Sequence, residues 1–275
     1  MTDSSIIYLV EQGLATITFN RPDKLNALTP EMLGQFFEMV ARAASDPDVR
    51  VILLAGAGKG FSAGLDLGII GTGQSDDVVT QYDIEPQWGD DIGPQMQRFF
   101  SGGWNGLITS RKPTVAAVNG PAFGWGFILA LHCDIRFAAR SALFNATFAR
   151  LGVPGEKNSA WLLSRLIGTA KAADLLYTAR RFDGEEAERL GVVNAVLDDD
   201  ELIRHATEYA RNLAVNSAPR SMAAMKAQIW TALDDCYDEA FAASDREQNI
   251  ADKTADFREG VGSMFEKRTP NFLGR

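Results

Sequence analysis

The 275-residue sequence contains little of the material that several common site types require. It has two histidines, His132 and His205, and two cysteines, Cys133 and Cys236. A histidine-based triad or a multi-histidine metal site is therefore disfavoured, and we expect no bound metal. Cys133 lies in an apolar run, where a buried, reduced thiol is the expected state, and this favours a reducing, cytoplasmic setting.

Basic charge and unbroken apolar segments are also scarce. The net charge of −9 argues against a nucleic-acid or anionic-membrane partner, since both require a basic face. The amino-terminal residues have no basic region followed by an apolar stretch, so we expect no signal peptide. The apolar run at 113–139 is interrupted at 119–121, His132 and Asp134, whereas a spanning helix needs about 20 unbroken residues. This run therefore predicts a buried core segment.

The composition that is present, 46% hydrophobic and 23% charged, is typical of a globular protein with an ample core. Apolar patterns predict a hairpin turned near Gly13. Thr29 and Pro30 are typical of a helix start, and that helix extends to about Ser45. The apolar run VRVILLAG (49–56) predicts a strand buried on both faces. The order β-α-β predicts a mostly parallel sheet with crossover helices.

Further elements follow the same alternation. The predicted elements are a helix near 94–109, a strand at 113–120, a helix at about 126–133 and strands at 134–139 and 192–197. From Asn158 onward the apolar spacing is mainly helical. We therefore divide the chain into a core at 1–198 and a helical region at 199–275 that serves oligomer contact and active-site capping. The polar, glycine-containing segment 68–93 is predicted to form a flap beside the site.

Two glycine-rich turns stand out, GKGFSAGLDL (58–67) after a buried strand and VNGPAFGWGF (118–127) where a strand leads into a helix. Glycine lets the backbone approach a ligand closely, and the amides that open a helix point outward unpaired. Two such turns at neighbouring strand ends could direct two N–H groups at one oxygen. A single glycine motif, by contrast, more often only makes a tight turn.

The full set of motifs resembles the crotonase (enoyl-CoA hydratase/isomerase) superfamily over nearly the whole chain. The motifs are NRPDKLNAL (20–28), FSAGLDL (61–67), KPTVAAVNGPAFGWGF (112–127), CDIRFAA (133–139), ARLGVPGE (149–156) and FEKRTPNF (265–272). This resemblance implies an α/β crotonase-like (ClpP/crotonase) spiral of β-β-α units with a C-terminal helical region. It also implies an enzyme that acts on an acyl-CoA substrate, with coenzyme A present only as part of that thioester, and a homotrimer or dimer of trimers.

The resemblance assigns an oxyanion hole to the backbone N–H groups of Leu65 and Trp125. Such donors would stabilise the enolate formed from a thioester. Hydratases of the family use two glutamates to activate water, and Ile128 and Phe148 occupy those positions here. Two-carboxylate hydration is therefore disfavoured. Glu156 matches the acid/base carboxylate of Δ3,Δ2-enoyl-CoA isomerases and of the ring-opening isomerases of phenylacetate breakdown.

The sequence PGEKN departs from the PEGG or PDSG of those relatives, because Lys157 and Asn158 replace small residues. Glu156 could alternatively be a solvated acid that complements a helix dipole. The predicted function is a Δ3,Δ2-enoyl-CoA isomerase in which Glu156 moves a proton from C2 to C4. The alternatives are an atypical enoyl-CoA hydratase or acyl-CoA hydrolase that uses Glu156 alone, and a non-catalytic acyl-CoA-binding homologue.

The resemblance also implies the coenzyme A contacts. The predicted path follows the backbone of Asn26, Ala27, Leu28, Ala63, Leu65, Asp66 and Leu67, with Lys24 at a phosphate. Phe265 and Lys267 match the C-terminal segment that often reaches the CoA of a neighbouring subunit. Lys24 and Lys267 could equally be exposed lysines without a ligand. Trp88, Asp90 and Asp91 lie in the predicted flap, where an exposed loop is favoured over an acyl contact.

Overall fold

The computed structural model describes residues 4–68 and 103–274. The strands are β1 Ile6–Glu11, β2 Leu14–Phe19, β3 Val51–Gly56, β4 Thr114–Val118, β5 Ala122–Phe123, β6 Ile135–Ala139, β7 Leu143–Asn145, β8 Arg181–Asp183 and β9 Ala195–Leu197. The helices are α1 Pro30–Ser45, α2 Gly106–Thr109, α3 Trp125–Leu131, α4 Ser159–Ile167, α5 Thr169–Thr178, α6 Gly184–Leu190, α7 Leu202–Asn216, α8 Pro219–Thr231, α9 Tyr237–Ala251 and α10 Ala255–Glu266. Short 3-10 turns occur at Pro22–Lys24, Gly103–Asn105 and Thr147–Leu151.

The main sheet has the strand order β1-β2-β3-β4-β6-β9 in the described part of the chain. β1 and β2 pair antiparallel around a turn at Gly13, and each of the other neighbouring pairs is parallel. Every residue of β3 is buried. The predicted hairpin, the doubly buried strand and the mostly parallel sheet are therefore confirmed.

Helix α1 begins and ends where the sequence predicts. The hydroxyl oxygen of Thr29 accepts a hydrogen bond of 3.2 Å from the backbone N–H of Met32, and Pro30 occupies the first turn. An amino-terminal cap of this kind stabilises a helix by about 1 kcal/mol. The buried face of the helix, which includes Phe36 and Phe37, joins the main hydrophobic core.

A second sheet, with the order β5-β7-β8, was not predicted. Its strands have two or three residues each, too few to show an alternating pattern. Strand β9 also begins later than predicted. The N–H of Val192 instead closes the end of α6 by donating to Ala187 O at 2.7 Å, so pairing starts only at Ala195.

The apolar run 113–139 forms β4, β5, α3 and β6, and nearly all of it is buried, as predicted for a core segment. No helix among the described residues combines the length and apolar character that crossing a membrane requires. Most of the predicted flap, and residues 94–102 of the predicted helix before β4, lie outside the described residues.

Helix α7 packs directly on the main sheet, although it belongs to the predicted C-terminal region. Its contact face consists of four buried residues at a spacing of four, namely Leu202, Ala206, Ala210 and Ala214. Alanine allows the helix axis to approach the strands closely. The division of the chain at 198/199 remains a prediction, and it falls between β9 and this helix.

Candidate active site

The first glycine-rich turn follows the carboxyl end of β3, and two asparagine side chains hold the segment 56–60 that leads into it. Asn119 Nδ2 donates to the carbonyl oxygens of Gly56 and Gly58 at 2.9 and 3.0 Å. Asn26, fully buried, donates to two more at 3.0 and 2.8 Å. The side chain of Asn26, a predicted coenzyme A contact, thus acts as an internal clamp. Its backbone is engaged as well, because its N–H donates to Arg21 O at 2.9 Å and its carbonyl accepts from Ser62 Oγ at 2.9 Å.

The backbone of Leu65 is oriented by a parallel bridge to Leu28. In this bridge the N–H of Leu28 donates to Gly64 O at 2.7 Å, and the N–H of Asp66 donates to Leu28 O at 2.9 Å. Successive N–H groups of an extended segment point in opposite directions. The N–H of Leu65 therefore points away from Leu28.

The second glycine-rich turn lies directly against the first. A parallel bridge between Ser62 and Ala122 joins them. Gly64, at φ +87°, approaches so closely that a Cβ there would lie 2.5 Å from a carbonyl oxygen of the second turn and 3.3 Å from the amide nitrogen of Trp125. The N–H of Leu65, which follows Gly64, therefore lies beside the N–H of Trp125.

Both of these amides are unengaged within the described residues, where no acceptor receives a hydrogen bond from the N–H of Leu65 or of Trp125. Trp125 is the first residue of α3, and the first N–H groups of a helix have no acceptor inside it. Two neighbouring free donors of this kind can bind one carbonyl oxygen or oxyanion.

Glu156 approaches this pair of amides through the side chain of Trp125. The indole Nε1–H of Trp125 donates to Glu156 Oε2 at 2.5 Å, and the carboxylate is half-buried. The carbonyl of Glu156 accepts from the N–H of Ser159 at 2.9 Å, which places Glu156 just before α4. The carboxylate thus contacts the glycine turn, as well as preceding a helix.

Aromatic rings fix the position of the Trp125 indole, which is 7% exposed. The ring of Trp104 meets it edge-on, with centroids 5.2 Å apart at an interplanar angle of 75°. Trp104 in turn packs against Phe37 of α1, with centroids 5.6 Å apart. The indole of Trp125 is therefore held in place by Trp104, which is itself supported by Phe37.

The positions that carry glutamates in two-carboxylate hydratases are apolar and closed to solvent. Ile128 lies on the inner side of α3 and is fully buried, and Phe148 is also buried, in the 3-10 turn Thr147–Leu151. Neither side chain can transfer a proton or bind water.

Comparisons with known proteins identify the family to which the chain belongs. The sequence profile of the family described as "Enoyl-CoA hydratase/isomerase" matches residues 10–275. The chain belongs to the enoyl-CoA hydratase/isomerase family. It is 36% identical, over 98% of both chains, to the 1,2-epoxyphenylacetyl-CoA isomerase of Escherichia coli (strain K12). It is 33% identical, over the full length of both, to a probable enoyl-CoA hydratase of Rhodobacter capsulatus.

Solved structures of the enoyl-CoA hydratase/isomerase family show the same fold. A probable enoyl-CoA hydratase/isomerase from Mycobacterium abscessus superposes with a TM-score of 0.85 at 29% identity, over 98% of this chain and 99% of that one. A putative enoyl-CoA hydratase from Streptomyces coelicolor A3(2) gives a TM-score of 0.85 at 30% identity, over 100% and 97%. The predicted crotonase-like fold is therefore confirmed. The family matches also support the prediction of an enzyme that acts on an acyl-CoA substrate.

A second carboxylate near the site, that of Asp66, is already engaged. Its Oδ2 forms an ion pair of 3.1 Å with Arg21 Nη1, and its Oδ1 accepts from the N–H of Gly68 at 3.2 Å. Arg21 also donates to the carbonyl oxygen of Ala27 at 2.6 Å. The sequence interpretation missed Arg21, although it lies inside the motif NRPDKLNAL. The side chain of Arg21 fixes the segment 20–28, in which four predicted coenzyme A contacts lie.

The other predicted coenzyme A contacts of the amino-terminal half lie along one strip of backbone. Lys24 is exposed on the 3-10 turn Pro22–Lys24, and the exposed Leu67 ends the strip. Between them, the N–H of Ala63 donates to Leu25 O at 2.9 Å. Of the predicted contacts, Leu28 and Asp66 lie next to Leu65, the first as its bridge partner and the second as the following residue.

The two predicted carboxyl-terminal contacts lie elsewhere in the chain. Phe265 and Lys267 are exposed at the end of α10. The tail that follows them is fastened to Arg50, whose guanidinium donates to Phe272 O at 2.6 Å. Arg50 precedes β3, whereas the glycine turn follows it, so one chain does not bring this tail to the Glu156 cluster.

Lys157 and Asn158, which replace small residues of relatives, both adopt left-handed backbone conformations, at φ +48° and +60°. Such a conformation is uncommon for lysine and costs of order 1 kcal/mol. The ammonium of Lys157 lies 5.6 Å from the centroid of the Trp104 ring, and burial lowers its pKa below the usual range. The strained turn therefore places a cation beside the aromatic pair.

The remaining candidate residues do not join the site. His132 and Cys133 are buried, and burial lowers the pKa of His132 to about 4 and raises that of Cys133 to about 12. Among residues 4–68 and 103–274, no three His, Cys, Asp or Glu side chains form a group that could hold a metal ion. Trp88, Asp90 and Asp91 lie outside the described residues.

Proposed function

We propose that this protein is a Δ3,Δ2-enoyl-CoA isomerase with one acid/base residue, Glu156. The observation that supports the proposal is the hydrogen bond between Trp125 Nε1 and Glu156, because it joins one carboxylate to a residue whose backbone amide is free. Asp66, the other carboxylate nearby, is bound to Arg21.

The amides of Leu65 and Trp125 form the oxyanion hole of the proposed reaction. The thioester carbonyl oxygen of the substrate accepts from both N–H groups. When C2 loses a proton, negative charge moves onto this oxygen, and fixed donors stabilise it without reorganising. One such donor contributes about 3 to 4 kcal/mol of transition-state stabilisation in well-studied enzymes.

Glu156 completes the reaction by carrying one proton. The ionised carboxylate removes a proton from C2 of a 3-enoyl thioester, and the electron pair delocalises over C2, C3, C4 and the thioester oxygen. The protonated carboxyl group then returns the proton to C4, which leaves the double bond between C2 and C3. This shift needs no water, in agreement with the apolar side chains of Ile128 and Phe148.

The family resemblance also supplies the proposed coenzyme A contacts. The accessible members of the strip, Lys24, Ala27, Ala63, Asp66 and Leu67, bind the adenine and pantetheine portions, and the fully buried Asn26 and Leu28 hold the strip in place. Phe265 and Lys267 contribute from a neighbouring subunit of a homotrimer or dimer of trimers, since the same chain does not bring them to the site.

A second candidate is the isomerisation of an acyl-CoA derived from an aromatic ring. The ring of Trp104, which is partly exposed and packs edge-on against Trp125, offers an apolar surface to such a group. A relative of 36% identity carries the name 1,2-epoxyphenylacetyl-CoA isomerase. Comparing turnover of a linear 3-enoyl-CoA with that of an epoxide-bearing phenylacetyl-CoA separates the two candidates.

The central test supplies a linear 3-enoyl-CoA and a linear 2-enoyl-CoA to the wild-type protein, Glu156→Gln and Glu188→Gln. Glu188 is exposed on α6 and serves as the matched control. We expect the wild type and Glu188→Gln to form 2-enoyl-CoA, and Glu156→Gln to bind CoA but not turn over. Addition of water to the 2-enoyl substrate would instead support the atypical hydratase. Tight CoA binding without turnover of any acyl group would support a non-catalytic homologue.

A further inference from the structure

The side chain of Trp125 has a feature that the oxyanion hole does not require. Only the backbone N–H of this residue is needed to bind the thioester oxygen, and any amino acid except proline supplies that group. The indole nevertheless donates from Nε1 to Glu156 Oε2 at 2.5 Å. A buried indole N–H commonly finds an acceptor, but here the acceptor is the carboxylate that, unlike Asp66, has no arginine partner among the described residues.

The other oxygen of Glu156 remains available. Within the described residues, Oε2 receives the indole hydrogen bond, and no donor reaches Oε1. A carboxylate with one oxygen fixed has a defined plane, so Oε1 has a defined direction. Proton transfer depends on such orientation, because a misplacement of about 1 Å can lower a rate by about 100-fold.

The donor itself is rigid. Trp125 is buried, Trp104 packs edge-on against it, and Phe37 supports Trp104 in turn. A side chain that is locked by packing in this way can hold a reacting group in its productive geometry. The amide and the indole also belong to one residue, so their separation is set by covalent geometry and a single rotamer.

We propose that Trp125 acts twice, with its backbone N–H on the thioester oxygen and its indole N–H as the positioning group that aims Glu156 Oε1 at the substrate. This inference rests on the proposed isomerase function and adds a side-chain role to it. The indole hydrogen bond also stabilises the ionised carboxylate, the form that accepts the proton from C2.

The test compares Trp125→Phe with Trp230→Phe. Both variants remove one indole N–H donor to a carboxylate and keep an aromatic ring, since Trp230 Nε1 donates to Asp134 Oδ1 at 3.2 Å away from the site. Both also keep every backbone amide. We expect Trp125→Phe to lower kcat about 10- to 100-fold while KM changes less than about twofold. Trp230→Phe should change neither.

A spectroscopic measurement covers the case in which Trp125→Phe does not fold. The chain has five tryptophans, and their indole N–H resonances can be observed in ¹⁵N-labelled protein. We expect one indole resonance to shift between wild type and Glu156→Gln. The absence of any indole response to this substitution would overturn the proposal.

The outcomes distinguish this inference from the proposed function. An inactive wild type, or an unaffected Glu156→Gln, contradicts the isomerase proposal. An active wild type and an inactive Glu156→Gln, combined with an unchanged kcat in Trp125→Phe, contradict only the positioning role of the indole.

Discussion

Lys226 of α8 forms a buried ion pair of 2.8 Å with Asp134, which lies between α3 and β6. The ammonium also donates to the carbonyl oxygens of Leu107 and Lys112 at 2.6 and 3.0 Å. All three donor positions of the ammonium are thereby used. One side chain thus connects a carboxyl-terminal helix to the segments on both sides of β4.

The ion pair predicts a large loss of stability in Lys226→Met. This change removes the cation and leaves two carbonyls and a half-buried carboxylate without one of their partners, which should lower the free energy of unfolding by about 3 kcal/mol. Urea denaturation followed by circular dichroism measures it. Lys171→Met, at an exposed position on α5, is the control, and equal stability of the two variants would contradict the role assigned to Lys226.

Gly64→Ala should lower enzymatic activity more strongly than the added backbone strain alone would explain. Gly64 and Gly152 both have positive φ, +87° and +73°, but an added Cβ meets the second glycine turn only at Gly64. Because the methyl group would separate the amides of Leu65 and Trp125, we expect kcat/KM to fall about 100-fold or more. Gly152→Ala carries comparable strain without a clash and should lose about 1 kcal/mol of stability but little activity. Steady-state kinetics at matched folded fractions decide the matter, and similar activities would be inconsistent with the paired amides.

His132 should make the protein less stable in acid. Burial lowers its pKa in the folded state to about 4 from the ordinary value of 6.5, so the unfolded chain takes up the proton first as the pH falls. The contribution is complete above pH 6.5, decreases between about pH 6.5 and 4, and amounts to about 3 kcal/mol.

The measurement for His132 is the pH dependence of the free energy of unfolding in wild type and His132→Leu. Other groups titrate in both proteins, so the difference between the two slopes isolates the histidine. Parallel curves between pH 4 and 6.5 would show that the imidazole does not behave as a buried neutral group.

Long elements with strong patterns could be predicted from the sequence alone. Helix α1 has a threonine cap, a first-turn proline and a regular apolar face, all of which are local signals. Strand β3 is an unbroken apolar run bounded by polar residues and glycine. In contrast, β5, β7 and β8 are too short to carry a pattern, because their pairing depends on segments that are distant in the chain.

The candidate site divides in the same way. The two glycine turns are visible in the sequence, and the family resemblance allowed Leu65, Trp125 and Glu156 to be named in advance. The clamp by Asn26, the pairing of Arg21 with Asp66 and the indole contact to Glu156 could not. Each depends on side-chain direction between segments that are 31 to 45 residues apart.

The sequence by itself determined that two glycine turns follow buried strands. It also determined that the side chains of Ile128 and Phe148 can neither donate nor accept a proton. Those properties reside in residue type and local order. Only the tertiary structure decided that the two turns touch at Gly64 and that Glu156 meets the indole of Trp125. Parallel pairing brings the carboxyl ends of separate strands to one edge of the sheet, and close packing there fixes which side chains meet.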